Sequence, residues 1–97
     1  MKMYMVEFDL PGVIDQSFMA LIPNQQRMVM KLFKQGVLKT YTLSLDRSKL
    51  WSVVMAANEF EVLEILKKFP LIGYMRPKII PLMFHNESEP AYQFSLN

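Results

Sequence analysis

The amino-acid sequence predicts a small α+β domain with an antiparallel sheet that two helices cover on one face. Segments with an apolar residue at every second position, as in strands, alternate with segments whose apolar residues recur at helical spacing. Hydrophobic residues make up 52% of the 97-residue chain, which is enough for one folded domain with a limited core. We therefore expect apolar surface to remain for association with a second copy of the chain.

The first predicted strand covers residues 3–9 and ends at a Leu-Pro-Gly turn. Its alternation places Tyr4, Val6 and Phe8 on one face, and the other face carries Met3, Met5, Glu7 and Asp9. Glu7 interrupts an apolar pattern. If it faces the interior of a barrel, burial raises the pKa of its carboxyl and makes it a candidate base. An exposed position at the strand end is the simpler alternative.

A long helix is predicted over residues 15–35, beginning at Asp15 or Ser17, which are both favourable N-cap residues. Its apolar residues follow helical spacing and form a stripe suited to burial, namely Phe18, Ile22, Val29, Leu32 and Phe33. Pro23 lies within this stretch, so we expect a kink or two helical segments. Gly36 provides a favourable cap for the C-terminal end.

A β-hairpin follows, with strands at residues 37–45 and 50–57 joined by an Asp-Arg-Ser-Lys turn. Its second strand faintly resembles the RNA-recognition motif, in which two or three exposed aromatic residues stack on bases. Trp51 is the only aromatic residue in that strand, and a net charge of +2 provides no strong field for phosphates. We therefore predict no nucleic-acid partner.

The second helix is predicted to begin at Asn58, and Glu61 three positions later completes a capping box. Glutamates lie early in this helix and lysines late, which complements the helix dipole. Pro70 ends the helix because the residue before a proline disfavours helical geometry. The last strand, residues 75–83, contains two prolines and is therefore predicted to lie at a sheet edge.

The resulting element order is βαββαβ, the ferredoxin-like arrangement. Right-handed crossovers place both helices on one face of the sheet and the last strand beside the first. The other face stays open, and we expect a second sheet to cover it. We expect residues 1–85 to form this domain and residues 86–97 to form a C-terminal tail that packs on a neighbouring subunit, with Tyr92 and Phe94 as its anchors.

The composition excludes several kinds of site. The chain has no cysteine, which removes disulfides and thiolate ligands, and its single histidine cannot hold a zinc ion by itself. We predict no metal and no cofactor. The first apolar run contains Glu7 and Asp9, unlike a signal peptide, and no segment has the length of a membrane span. A cytoplasmic protein without a membrane partner is expected.

Residues near the end of the predicted domain carry a family resemblance. The pattern runs Phe-Pro-Leu, then Tyr-Met, then a strand that ends in Leu-x-x-His, and its matching positions are Pro70, Leu71, Tyr74, Met75, Leu82 and His85. Gly36 also falls where the family has a glycine. In these positions the chain resembles the muconolactone delta-isomerase family. The resemblance implies ferredoxin-like subunits that pair sheet to sheet as a dimeric α/β barrel and assemble further.

The resemblance also implies an intramolecular isomerase that moves a proton within a small unsaturated lactone of aromatic catabolism. Such a reaction needs a base beside a carbonyl and an acid that returns the proton elsewhere. The sequence departs from the family in two places. Gln25 or Gln26 stands where the first helix of the family has an acidic residue. Residues 39–43 replace a cluster of basic and aromatic residues, and Tyr41 keeps an aromatic ring there.

His85 and Glu7 are the candidate catalytic residues. His85 is the only imidazole, and the alternative is a histidine at a strand end that only forms a hydrogen bond. Four further residues are candidates for substrate binding because they supply hydroxyl, amide or guanidinium groups. They are Tyr41, Tyr74, Gln25 and Arg27. For each of these, a half-buried or exposed position without a ligand is the alternative.

Three functions stay open on this basis. The first is a small-molecule isomerase of the muconolactone type, with a pocket between the sheet and the helices or at a subunit interface. The second is a non-catalytic ligand-binding or assembly module that keeps the scaffold. The third is a cofactor-independent monooxygenase of the dimeric-barrel group, which rests on fold analogy alone. The expected partners are another copy of the chain and a small-molecule ligand.

Overall fold

The computed structural model describes residues 1–88 of the chain. These residues form strands and helices in the predicted βαββαβ order, with the bounds β1 Lys2–Asp9, α1 Gln16–Lys34, β2 Thr42–Leu43, β3 Lys49–Ala56, α2 Glu59–Leu66 and β4 Arg76–Pro81. A short 3-10 helix, Ile72–Tyr74, precedes β4. No helix in this part of the chain is long and apolar enough to cross a membrane. The predicted tail anchors Tyr92 and Phe94 lie outside the described residues.

The strands form one antiparallel sheet in the order β2-β3-β1-β4. Strand β4 pairs with β1 on one side and has no neighbour on its other side within the described chain, so the prediction of an edge strand is confirmed. This position explains why the strand tolerates Pro77 and Pro81. An edge strand has one side without a neighbouring strand, and a proline, which lacks an N–H, loses no hydrogen bond of the sheet on that side.

Strand β2 is much shorter than the strand predicted over residues 37–45. Leu38 and Thr42 are four positions apart, but the β3 residues opposite them are three positions apart, so the chain contains a bulge here. At the bulge, a backbone amide of β3 donates to the Thr40 hydroxyl at 2.9 Å. The extra residue interrupts the ladder and lets Tyr41 point toward α1, with which it forms a hydrogen bond.

Helix α1 begins at Asp15, whose carboxylate accepts the Phe18 amide at 2.8 Å, which decides between the two predicted caps. Gly36 follows the helix at φ +71°, and its amide and the next one donate to carbonyls of the last helical turn. The helix is continuous through Pro23, so the alternative of two segments is wrong. Pro23 is exposed, while the apolar stripe before and after it packs against the sheet and holds the helix together.

Helix α2 begins at Asn58, whose side chain accepts the Glu61 amide at 2.9 Å. The Glu61 carboxylate reaches back to the amide of Ala57 at 3.3 Å, one residue before the expected donor. The chain then continues through tight turns that bury Phe69 completely. The Phe69 ring stacks on Phe8 of β1, with ring centroids 5.9 Å apart, and thereby fixes the end of α2 on the sheet.

The sheet has a covered face and an open face. The covered face carries Tyr4, Val6 and Phe8 of β1, which are buried in the core between the sheet and the helices. The open face carries the alternate residues, which include Met3, Met5, Glu7, Trp51, Val53 and Met55. The ferredoxin-like α+β fold is thus confirmed, whereas the pairing of the open face with a second sheet stays a prediction.

Candidate ligand cavity

An apolar cavity of about 290 Å³ lies between the N-terminal half of α1 and the end of the sheet at which β1 finishes. Small-molecule sites typically have volumes of about 300–1,000 Å³, so this cavity suits a small ligand. Its buried inner wall consists of Phe18, Leu50, Leu71 and Met75. Exposed side chains surround its mouth, namely Ile14, Gln26, Leu43 and Arg47.

Gln25 is the polar centre of the cavity. Only 2% of its surface is exposed. Its Oε1 accepts the Leu71 backbone amide at 3.1 Å, and its Nε2 donates to the Tyr41 hydroxyl oxygen at 3.1 Å. The first bond ties α1 to the segment after Pro70 and satisfies an amide that would otherwise be buried without a partner. The fold therefore brings together two of the predicted substrate-binding residues, Gln25 and Tyr41.

Tyr41 lines the cavity, and its hydroxyl can act as a hydrogen-bond donor. Burial raises the pKa of this hydroxyl above its ordinary value, although the bond from Gln25 acts in the opposite direction, so Tyr41 is protonated at neutral pH. Because Gln25 donates to the hydroxyl oxygen, the hydroxyl proton is free to be donated elsewhere. Among residues 1–88, no group accepts it. Tyr41 can therefore donate one hydrogen bond to a molecule in the cavity.

Arg47 reaches the mouth of the cavity from the tip of the β2–β3 hairpin. Its backbone has φ +64°, a left-handed conformation that costs a residue with a side chain about 1–2 kcal/mol. The Asp46 carboxylate holds the turn, because it accepts the Ser48 amide at 3.0 Å and the hydroxyls of Ser44 and Ser48 at 2.7 Å each. These bonds, the Ser48 amide first, lower the pKa of Asp46 to about 2.

Glu7 lies on the open face, across the sheet from the cavity. Its carboxylate accepts the Trp51 indole N–H at 3.0 Å and lies 3.6 Å from the Lys49 ammonium. The bond from Trp51 is the main reason that the pKa of the Glu7 carboxyl lies below its ordinary value; Lys49 acts in the same direction and partial desolvation opposes both. In the single chain Glu7 is therefore paired and half-exposed, and a raised pKa inside a barrel stays a prediction.

His85 lies beyond the end of β4, where the Leu82 amide donates to the carbonyl of Met3. That is the opposite end of β1 from the cavity, and His85 does not line the cavity. Its Nε2 is 2.8 Å from a carboxylate oxygen of Glu87. The residue opposite Glu7 in β4 is Lys78, seven positions before His85, so the two predicted catalytic residues are not brought together within one chain.

The other two predicted substrate-binding residues also lie outside the cavity. Tyr74 packs edge-on against Phe18, with ring centroids 5.3 Å apart, and so supports the inner wall from behind. Arg27 is exposed on the outer surface of α1, where its guanidinium donates to the side chain of Asn24. The groove beside it has a volume of about 700 Å³, but α1 and its C-cap residue Gln35 supply all its described lining residues, so it is a surface and not an enclosed site.

Sequence reasoning missed Arg47, which it assigned only to a turn. The pattern Ser-x-Asp-Arg-Ser contained a usable signal, because a central Asp flanked by serines often fixes a turn through its own side chain. It also did not foresee that Leu71 would contribute its backbone amide to the Gln25 site. Contacts between residues 46 positions apart leave no local pattern.

The strand order and the two helices on one face define a ferredoxin-like α+β domain, and the cavity lies between its first helix and its sheet. The sequence profile of the muconolactone delta-isomerase family matches residues 3–88, so the chain belongs to that family. No curated protein matches the chain.

A crystal structure of muconolactone isomerase, solved at 3.3 Å resolution, has the same fold. The two structures superpose with a TM-score of 0.70 over 89% of this chain and 93% of that chain. Their sequences are 19% identical, a level at which the likeness shows the fold alone.

Proposed function

We propose that the chain is a small-molecule protein of the muconolactone isomerase type and that its ligand binds in the cavity between α1 and the sheet. The observation that carries this proposal is the Tyr41 hydroxyl, which Gln25 orients and whose proton has no acceptor among residues 1–88. A carbonyl or another neutral oxygen of the ligand would accept that proton, while the apolar wall would cover the remainder of a small molecule.

Binding is the first candidate activity, because the cavity side chains supply donors and apolar surface but no base. The ionisable groups that line the cavity are the hydroxyl of Tyr41, with its raised pKa, and the guanidinium of Arg47. The amide of Gln25 neither takes up nor releases a proton at neutral pH. This composition favours a ligand-binding module that keeps the family scaffold.

Isomerisation is the second candidate activity, and membership of the muconolactone delta-isomerase family favours it. The reaction requires a base that removes a proton beside a carbonyl and an acid that returns it. His85 and Glu7 stay the proposed pair, yet neither lines the cavity in the single chain. Turnover by these two residues would thus require them to reach the ligand in an assembly.

Muconolactone serves as the first probe for both activities. Calorimetric titration of the wild-type chain measures binding, and ultraviolet absorbance of the lactone measures turnover. We expect binding that weakens in Tyr41→Phe and is unchanged in Tyr74→Phe, because only Tyr41 donates into the cavity. Turnover that is lost in His85→Ala or Glu7→Gln would establish the isomerase and reject the non-catalytic reading. Absence of binding to muconolactone and to smaller unsaturated lactones would reject the cavity as a ligand site.

We also propose that two copies pair through their open faces as a dimeric α/β barrel. The open face of the single chain carries Met3, Met5, Trp51 and Met55, all of which keep partly exposed apolar surface. An apolar sheet face of this kind is typical of an interface. Analytical ultracentrifugation should give a dimer or a multiple of it, and a monomer at micromolar concentration would contradict the pairing.

A further inference from the structure

One charged side chain lines the cavity among the described residues, and it belongs to Arg47. It stands at the mouth beside Gln26, while the inner wall is apolar except for the Gln25–Tyr41 pair. A ligand in the cavity can therefore contact one permanently charged side chain. The charge lies at one end of the cavity, so it distinguishes the two ends of a ligand.

The Arg47 guanidinium forms no ion pair and no hydrogen bond with another group of residues 1–88. The nearest carboxylate in sequence, that of Asp46, is occupied by Ser44 and Ser48 within the hairpin turn. The Asp9 carboxylate pairs with Lys49. Arg47 thus has its donors available for a bound molecule.

The backbone conformation of Arg47 is a second observation that is independent of the cavity. A φ of +64° is ordinary for glycine and asparagine and unfavourable for arginine, so the turn itself gives no reason for an arginine here. The Asp46 bonds fix this turn and hence the point from which the side chain leaves the backbone. Unfavourable backbone geometry of this kind is concentrated at binding sites.

We propose that Arg47 makes the cavity selective for small organic anions, whose carboxylate binds the guanidinium at the mouth while a neutral oxygen accepts the Tyr41 proton inside. This inference rests on the proposed function, and it adds the residue that recognises the carboxylate and so orients the ligand. A guanidinium matches a carboxylate with two parallel N–H···O bonds, which a neutral ester or amide cannot reproduce. Asp46 acts as a positioning residue, because it holds the turn and does not touch the ligand.

The experiment compares muconolactone with its methyl ester, which has the same ring and lacks the negative charge. Wild-type protein should bind the acid more tightly than the ester, and salt should weaken only the binding of the acid. In Arg47→Gln, we expect the dissociation constant of the acid to rise about ten- to hundredfold, which is the usual contribution of hydrogen bonds to charged groups, and that of the ester to stay unchanged.

Three further variants keep the result interpretable. Arg47→Gly removes the unfavourable φ, so it should fold at least as well as the wild type and still lose the preference for the acid. Arg47→Lys keeps the positive charge but cannot form the bidentate hydrogen bonds of a guanidinium, so it should retain part of the preference for the acid over the ester. Arg27→Gln removes the same charge from the outer surface of α1 and should bind both compounds like the wild type.

The outcomes separate the two proposals. Equal binding of acid and ester by the wild type, or an unchanged preference in Arg47→Gln, overturns the role of Arg47 and leaves the cavity as a ligand site. An equal loss of affinity for the acid in Arg27→Gln and Arg47→Gln also overturns the role of Arg47, because the net charge of the protein would then explain the weaker binding. If the wild type binds neither compound, the proposed function and this inference both fail.

Discussion

The two faces of the sheet hold their polar groups in different ways. On the covered face, Gln25 is buried and forms two hydrogen bonds, to Leu71 and Tyr41. On the open face, Glu7 keeps water contact and forms a hydrogen bond to Trp51 and an ion pair with Lys49. The protein thus places a neutral amide where burial is nearly complete and a carboxylate where solvent reaches it.

This difference follows from the cost of burying charge. A neutral amide can be buried when its partners satisfy it, whereas an isolated carboxylate in the same position would shift its pKa and take up a proton. A ligand in the cavity therefore meets fixed hydrogen-bond donors. A molecule at the open face would meet an ionised carboxylate whose pKa is already lowered.

Deleting a large side chain from the covered face should have the largest effect. Phe8→Ala removes a completely buried ring that stacks on Phe69, and we expect it to lower the free energy of unfolding by about 3–5 kcal/mol. Met5→Ala removes a half-buried side chain from the open face of the same strand and should cost less in the monomer. Urea unfolding measures both. Equal losses at low protein concentration would contradict the division into a covered and an open face.

Removing the Gln25 amide should have the next largest effect. Gln25→Leu keeps the side-chain size but leaves the Leu71 amide buried without an acceptor, which we expect to cost about 1–3 kcal/mol of unfolding free energy. Gln26→Leu changes the exposed neighbour and is the matched control, for which we expect a change within about 0.5 kcal/mol. A similar result for both variants in chemical denaturation would show that the buried pair contributes little.

Removing the Tyr41 hydroxyl should have a smaller effect on stability. Tyr41→Phe keeps the ring and loses the bond from Gln25, so we expect a loss of about 1 kcal/mol in unfolding free energy. Tyr74→Phe is the control, because the Tyr74 ring packs on Phe18 by edge contact and that contact survives the change. Thermal unfolding of the two variants side by side measures the difference in stability. A larger loss of stability in Tyr74→Phe would show that the Tyr74 hydroxyl, and not that of Tyr41, stabilises the fold.

A substitution on the open face should have the smallest effect on stability, and this effect should depend on pH. The folded-state pKa of Glu7 lies below its ordinary value, so its ionised form stabilises the fold above that value and the contribution is lost as pH falls through the folded pKa. Glu7→Gln should therefore be slightly less stable than the wild type at pH 7 and should match it in strong acid. Denaturation midpoints measured from pH 7 to pH 2 test this. A difference in stability between Glu7→Gln and the wild type that grows as the pH falls would contradict this prediction.

The order of elements could be predicted because local signals determine it. Asp15 and Asn58 begin the helices, and the prolines of β4 indicate an edge strand. The bulge at Thr40 could not be predicted, because it depends on how β2 meets β3. The burial of Gln25 could not be predicted either, because its partner Leu71 belongs to a distant segment that only the folded chain brings close.

The candidate site was predicted in part for the same reason. The chemistry of Gln25 and Tyr41 and their positions in the family pattern predict that both bind a ligand, and the two side chains do meet at the cavity. The chemistry of Glu7 and His85 predicts a catalytic pair, but the register of β1 and β4 separates them within one chain. Residue type indicates what a side chain can do, whereas strand register decides which groups it can reach.

The bond between Gln25 and the Leu71 amide has a consequence for hydrogen exchange. The Leu71 N–H can exchange with solvent deuterium only after it leaves the Gln25 oxygen, and that movement opens the inner wall of the cavity. Its exchange rate therefore reports how often the wall opens, without any need for a known ligand. A compound that fills the cavity and steadies this wall would slow the exchange of one identifiable backbone amide.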